Sequence, residues 1–111
     1  MKRTKENINY EASTEELAVY AKALGHPTRI AILKFLENQS CSCTNDLLHV
    51  IPLAQSTISQ HMKELKNAGL IVGELDPPKI NYRINHENMD RARFLFDELF
   101  SMTNSCEKNK C

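Results

Sequence analysis

Glycine and proline are scarce, at 3 and 4 of 111 residues, about half their usual share. An all-β chain spends more turn residues than that, so helices are expected. No apolar run approaches the ~20 residues of a membrane span. The opening Met1-Lys2-Arg3-Thr4-Lys5-Glu6 is charged and no apolar segment follows. It does not read as a signal peptide, so a cytoplasmic protein with no membrane partner is expected. An excess of either charge is also missing, with 14 Lys and Arg against 14 Asp and Glu. No global basic field advertises nucleic acid, although residues 1–6 and 52–84 are each mildly positive. Repeats and low-complexity stretches are absent. So are a Cys-x-x-Cys in a βαβ setting, a glycine-rich phosphate loop and a nucleophile motif. A thiol reductase, or any other enzyme, is therefore not expected.

The length suits one domain, and Leu, Ile, Val and Phe are frequent enough for a packed core. Residues 1–12 read as a flexible arm, 13–103 as the folded domain and 104–111 as a cysteine-containing tail. Ser13-Thr14-Glu15-Glu16 has the form of a capping box opening a helix that runs to about Leu24, where Gly25 stops it. Pro27 suits the first turn of a second helix, which reaches Asn38 and buries Ile30, Leu33 and Leu36. A third helix is expected over 44–50, with Leu47 and Ile51 four apart, and Pro52 ends it. A fourth covers 54–67, with Ile58, Met62 and Leu65 inward and Gly69 as its cap. Residues 70–76 and 79–85 read as strands around Pro77-Pro78, an irregular tip rather than a tight two-residue turn. A last helix over 87–103 carries a broad apolar face of Met89, Ala92, Leu95, Phe96, Leu99 and Phe100. The fold class is mainly α with a small β-hairpin, in the order α-α-α-α-β-β-α.

That order is the outline of a winged helix-turn-helix, whose second helix lies in the DNA major groove. With Ile58, Met62 and Leu65 inward, Ser56, Gln60 and Lys63 point away, flanked by Gln55, Thr57 and Ser59. Gln pairs bidentately with adenine, and Ser or Thr serves bases or phosphates. Lys63, Lys79 and Arg83 are candidate phosphate contacts, which position without specifying. An ordinary solvated helix face would look alike; the order of elements favours the DNA reading.

Three linked motifs then carry a resemblance. Leu24-Gly25-His26-Pro27-Thr28-Arg29-Ile30-Ala31-Ile32-Leu33, Gln55-Ser56-Thr57-Ile58-Ser59-Gln60-His61-Met62 and Leu65-Lys66-Asn67-Ala68-Gly69-Leu70-Ile71 closely resemble the ArsR/SmtB family of metal-sensing repressors. The likeness spans roughly residues 14–100. It implies a homodimer joined through the first and last helices, bound to double-stranded operator DNA until an inducer arrives. The amphipathic last helix agrees, because a small chain would expose that face as a monomer.

The four cysteines fall in pairs, Cys41 with Cys43 and Cys106 with Cys111. Close thiols without a secretion signal point to metal binding or redox chemistry. Cys41 and Cys43 sit just before or at the start of the third helix, where the helix dipole favours thiolates. Two sulfurs two residues apart grip one soft ion only on extended or unwound backbone; on a regular helix they are about 200° apart. In relatives that sense soft metals, a Cys-x-Cys box at this place supplies ligands. Arsenic-sensing relatives of one branch add a third cysteine three residues on, where this chain has Asp46. A further thiol must then come from Cys106 or Cys111, in the same subunit or its partner, unless the tail pair forms a second site or stands by.

Trivalent arsenic or antimony, which two or three sulfurs satisfy, is the expected inducer. Cadmium, lead or zinc held by all four cysteines is the alternative, and a thiol redox switch is a third. His26, His49, His61 and His86 share no ligand spacing. The last-helix zinc site of some relatives needs histidine on that helix, and residues 87–103 have none.

Overall fold

A computed structural model describes the backbone of residues 8–39 and 42–108 and the side chains of residues 8–38 and 46–102. The elements are α1 (Ala12–Ala23), α2 (Pro27–Gln39), β1 (Ser42–Cys43), α3 (Thr44–Leu48), α4 (Gln55–Asn67), β2 (Ile71–Asp76), β3 (Lys79–Ile84) and α5 (His86–Lys108). The expected helices and hairpin are present, and a strand is added. Ser42–Cys43 pairs antiparallel with β3, so the sheet has three strands in the order β1-β3-β2.

Several expected boundaries move. The capping box at Ser13 does not form. Helix α1 starts at Ala12 after Glu11, with no side-chain cap. Glu16 instead accepts from Arg91 of α5, with nitrogen–oxygen distances of 2.9–3.2 Å, and from the Tyr20 hydroxyl at 3.4 Å. The Arg91 bonds hold the Glu16 carboxyl below its ordinary range. Burial, then the neighbouring Glu16 carboxylate, raises the Tyr20 phenol. Sequence-local capping thus yields to a tertiary tie between the first and last helices. Helix α3 ends at Leu48, two residues early, while α5 begins at His86 and continues to Lys108. The backbone of Cys106 is therefore helical rather than part of a tail starting at 104.

The core is built from both helical and sheet elements. Ile32 and Leu36 of α2, Leu47 of α3, Ile58, Met62 and Leu65 of α4, and Leu70 and Ile71 entering β2 are fully buried. Ala92 and Leu95 close it from α5. Ile30 was expected inside but is 42 % exposed, and Ile32 takes its place. Apolar residues surround α2 at Ile30, Ala31, Ile32, Leu33 and Phe35, so periodicity does not choose among its faces.

The hairpin register runs from Ile71 opposite Ile84 to Asp76 opposite Lys79. The tip is thus a two-residue turn over Pro77-Pro78, whose peptide bond is cis, and not the irregular loop expected. Gly69 ends α4 as expected. Its φ is +86°, its N–H donates to the Lys66 carbonyl at 2.9 Å, and that of Leu70 donates to Leu65 at 3.0 Å. This is the Schellman arrangement, which needs a left-handed residue. A Cβ at Gly69 would also stand 2.8 Å from Nδ2 of Asn88, which donates to the Gly69 carbonyl at 2.9 Å.

Gly25 has no such requirement, and an added Cβ there meets nothing closer than 3.4 Å. Gly69→Ala should therefore lower unfolding stability by about 1–2 kcal/mol or more, whereas Gly25→Ala should leave it unchanged or raise it by up to about 1 kcal/mol. Urea unfolding of both variants checks this contrast.

Candidate nucleic-acid interface and thiol site

Helix α4 is positioned by its inward row. Ile58, Met62 and Leu65 are 0–1 % exposed, which leaves one orientation about the helix axis. Gln55, Ser56, Thr57, Ser59, Gln60 and Lys63 are all exposed. Ala54 precedes the helix without a side-chain cap, so its first turn keeps donors that suit a phosphate.

The wing carries the other two cations singled out from sequence. Lys79 is exposed beside the tip, opposite Asp76. Arg83 is exposed but engaged, donating through Nε and a terminal nitrogen to one carboxylate oxygen of Glu74, each at 3.2 Å. Asn81 likewise donates to Asp76 at 3.0 Å. This face of the hairpin is therefore partly self-neutralised, which the isolated positions of Lys79 and Arg83 did not reveal.

Cys43 is the last residue of β1, backbone-paired with Asn81 of β3, and α3 follows directly at Thr44. The extended backbone over Ser42–Cys43 is what a Cys-x-Cys pair needs to converge on one ion. Helix α3 has only five residues, so little dipole is available to favour a thiolate. Cys41 and Cys111 lie outside the described residues, as do the side chains of Cys43 and Cys106. Among the described residues no group of three or more His, Cys, Asp or Glu side chains could hold a metal ion. His86 proves to open α5, yet it joins no such group.

Sequence reasoning also missed a contact. His26 and His61, which share no ligand spacing, come together ring to ring, and Arg29 joins them. No local sequence signal links residues of α2 and α4 that lie 32 positions apart.

Helices α3 and α4, the three-stranded sheet and the exposed polar strip define a winged helix-turn-helix DNA-binding protein. Residues 26–72 match the bacterial regulatory protein, arsR family. The chain is 33% identical over 95 residues to an arsenical resistance operon repressor of Staphylococcus xylosus, an alignment covering 85% of this chain and 89% of that one. It is 34% identical over 77 residues to the HTH-type transcriptional regulator YgaV of Escherichia coli, covering 69% and 78%. Among solved structures, a possible transcriptional regulator for arsenical resistance superposes with TM-score 0.65 at 30% identity, over 77% of this chain and 83% of that one. An ArsR-like regulator from Rhodococcus sp. RHA1 shares the fold, with TM-score 0.75 at 20% identity over 89% and 92%. The chain belongs to the ArsR family and is a transcriptional repressor that binds operator DNA, rather than an enzyme. No helix among the described residues is long and apolar enough to cross a membrane.

Proposed function

We propose that this repressor responds to trivalent arsenic or antimony, captured by cysteine thiolates. The observation that carries this reading is the placement of Cys43 on extended backbone, paired with the wing strand and leading into α3. The donor chemistry fits, since soft thiolates select thiophilic ions over hard ones. Cys41 and Cys43 would supply two ligands, and Cys106 or Cys111 a third. Bound arsenic would tie the sulfurs together, each thiol proton leaving with an arsenic hydroxyl as water. The arsenical resistance relatives support the choice of ion.

The chain itself supplies two routes from this segment to DNA. Helix α3 packs on α4, so a shift of its start tilts the reading helix. Strand β1 pairs with Tyr82 and Asn81, so the same shift pulls on the wing. In the DNA-bound state Ser56 and Gln60 would read base edges, with Gln55, Thr57 and Ser59 beside them. Lys63, Lys79 and Arg83 would meet phosphates, Arg83 after leaving Glu74.

We further propose a homodimer through α1 and α5. Phe94, Leu99, Phe100 and Met102 of α5 and Val19 of α1 are 42–68 % exposed, large apolar side chains that a second copy would cover. Two copies would set two reading helices into successive major grooves.

Three outcomes test these assignments. Cys41→Ser with Cys43→Ser should bind DNA as the parent does and stay bound when arsenite is added. Release of that variant by arsenite would place the sensor elsewhere. Release of the parent by cadmium or zinc but not arsenite would identify the four-thiol alternative, and ion-independent release on oxidation the redox one. Ser56→Ala with Gln60→Ala should cut affinity for a selected duplex by about tenfold or more while sparing a scrambled one, since each good base contact is worth about 1–3 kcal/mol. Equal loss on both duplexes would remove the reading role. Leu99→Glu with Met102→Glu should sediment as a monomer, and an unchanged sedimentation coefficient would move the interface away from α5.

A further inference from the structure

The ring centroids of His26 and His61 lie 4.3 Å apart. Nε of Arg29 donates to Nδ1 of His61 at 3.1 Å. A terminal nitrogen of the same guanidinium reaches the carbonyls of Lys22 at 3.2 Å and Ala23 at 3.5 Å. The Thr28 backbone N–H donates to Nδ1 of His26 at 3.0 Å, capping α2. Arg29 thus spans the end of α1, the start of α2 and the middle of α4.

Both rings accept at Nδ1, and for His61 that leaves the ring proton on Nε2. A proton added to His61 turns its acceptor into a donor facing Arg29 and sets two cations against each other.

We infer that Arg29 is a positioning residue for the reading helix, and that protonation of the histidine it grips unseats that helix and weakens sequence-specific DNA binding. The inference involves no cysteine and is independent of which ion the protein senses. His61 follows Gln60 directly, so movement at this contact is passed to the exposed strip within one residue. Base contacts depend on close alignment, whereas phosphate contacts tolerate shifts.

The groups facing His61 come from every element packed around it. The turn before α2 brings His26 and α2 brings Arg29, whose guanidinium is held in turn by the Lys22 and Ala23 carbonyls of α1, and α4 brings Glu64, which shares a hollow with Lys22. Burial first, then the charges of His26 and Arg29, lower the His61 pKa from 6.5, with Glu64 opposing. A depressed histidine contributes stability that is complete above the ordinary value and is lost as pH falls toward the folded one. Non-specific binding has the opposite sign, because added positive charge strengthens phosphate contacts. The ratio of specific to non-specific affinity therefore isolates the clasp.

A duplex enriched from a random library on the full chain serves as the specific probe, and its scrambled counterpart as the non-specific one. Fluorescence anisotropy should show the ratio falling between about pH 8 and about pH 5.5 by severalfold and by no more than about tenfold, the linkage limit over this range for a histidine at or below its ordinary value. His61→Asn places an acceptor that does not protonate near the position of Nδ1, and should hold the ratio constant. Arg29→Met should lower the ratio already at about pH 8 and leave it insensitive to pH. Circular dichroism at each pH confines the comparison to folded protein. In the unbound chain, amide signals of residues 59–63 should titrate together with the His61 ring. A flat ratio in the parent, an equal fall in His61→Asn, or amides that ignore the ring would each overturn the inference.

Discussion

The burial of Ile58, Met62 and Leu65 is the constraint on which the rest of the molecule depends. Placed at i, i+4 and i+7, these side chains form one stripe, and Ile32, Leu36 and Leu47 complete the core with them. A helix held along such a stripe cannot rotate without exposing apolar surface. Its outward residues then present fixed geometry to a ligand, which a polar strip needs before it can discriminate one base from another. The small, uncharged character of Ser56, Thr57, Ser59 and Gln60 fits this division. Discrimination resides in orientation, while attraction is left to a few cations at the margins.

The element between α2 and α3 touches both parts of the DNA-binding surface at once. Strand β1 has two residues, so few hydrogen bonds hold it to β3, and short edge pairings are among the first contacts a protein opens. A segment of low local stability, joined on one side to the wing and on the other to the helix under α4, is a mechanically suitable place for a sensor. A small free-energy change there can alter both surfaces, whereas the same change inside the α4 stripe would have to disrupt the core.

Legibility followed the strength of local periodicity. Helix α4 has one apolar stripe and one polar face, so its orientation, its glycine cap and its exposed residues could all be read directly. Helix α2 is apolar on nearly every side, and Ile30 was accordingly placed inside when Ile32 occupies that position. The capping box at Ser13 was a valid local pattern that lost to a tertiary one, because Glu16 gains more from a bidentate arginine across the fold than from the backbone beside it. Strand β1 is too short to alternate, so its pairing was invisible. The contact of His26, Arg29 and His61 depends on two helices meeting, and no spacing rule encodes it. For the thiols, the chain showed their pairing and the need for extended backbone, but not the strand that provides it.

Protons and a thiophilic inducer would act on DNA binding in the same direction. Trivalent arsenic arrives as a neutral hydroxide, so each arsenic–sulfur bond formed releases one water made from a hydroxyl and the thiol proton, and its capture under the function proposed above is close to proton-neutral. Acid loosens the His61 clasp and with it specific DNA binding. The inducer enters a thermodynamic cycle of its own, in which DNA must weaken inducer binding by the same factor as inducer weakens DNA binding. Lowering the pH then reduces the affinity for operator while the grip on arsenic changes little. The span between repressed and released states narrows from the repressed end. A coupling free energy measured at one pH therefore belongs to that pH.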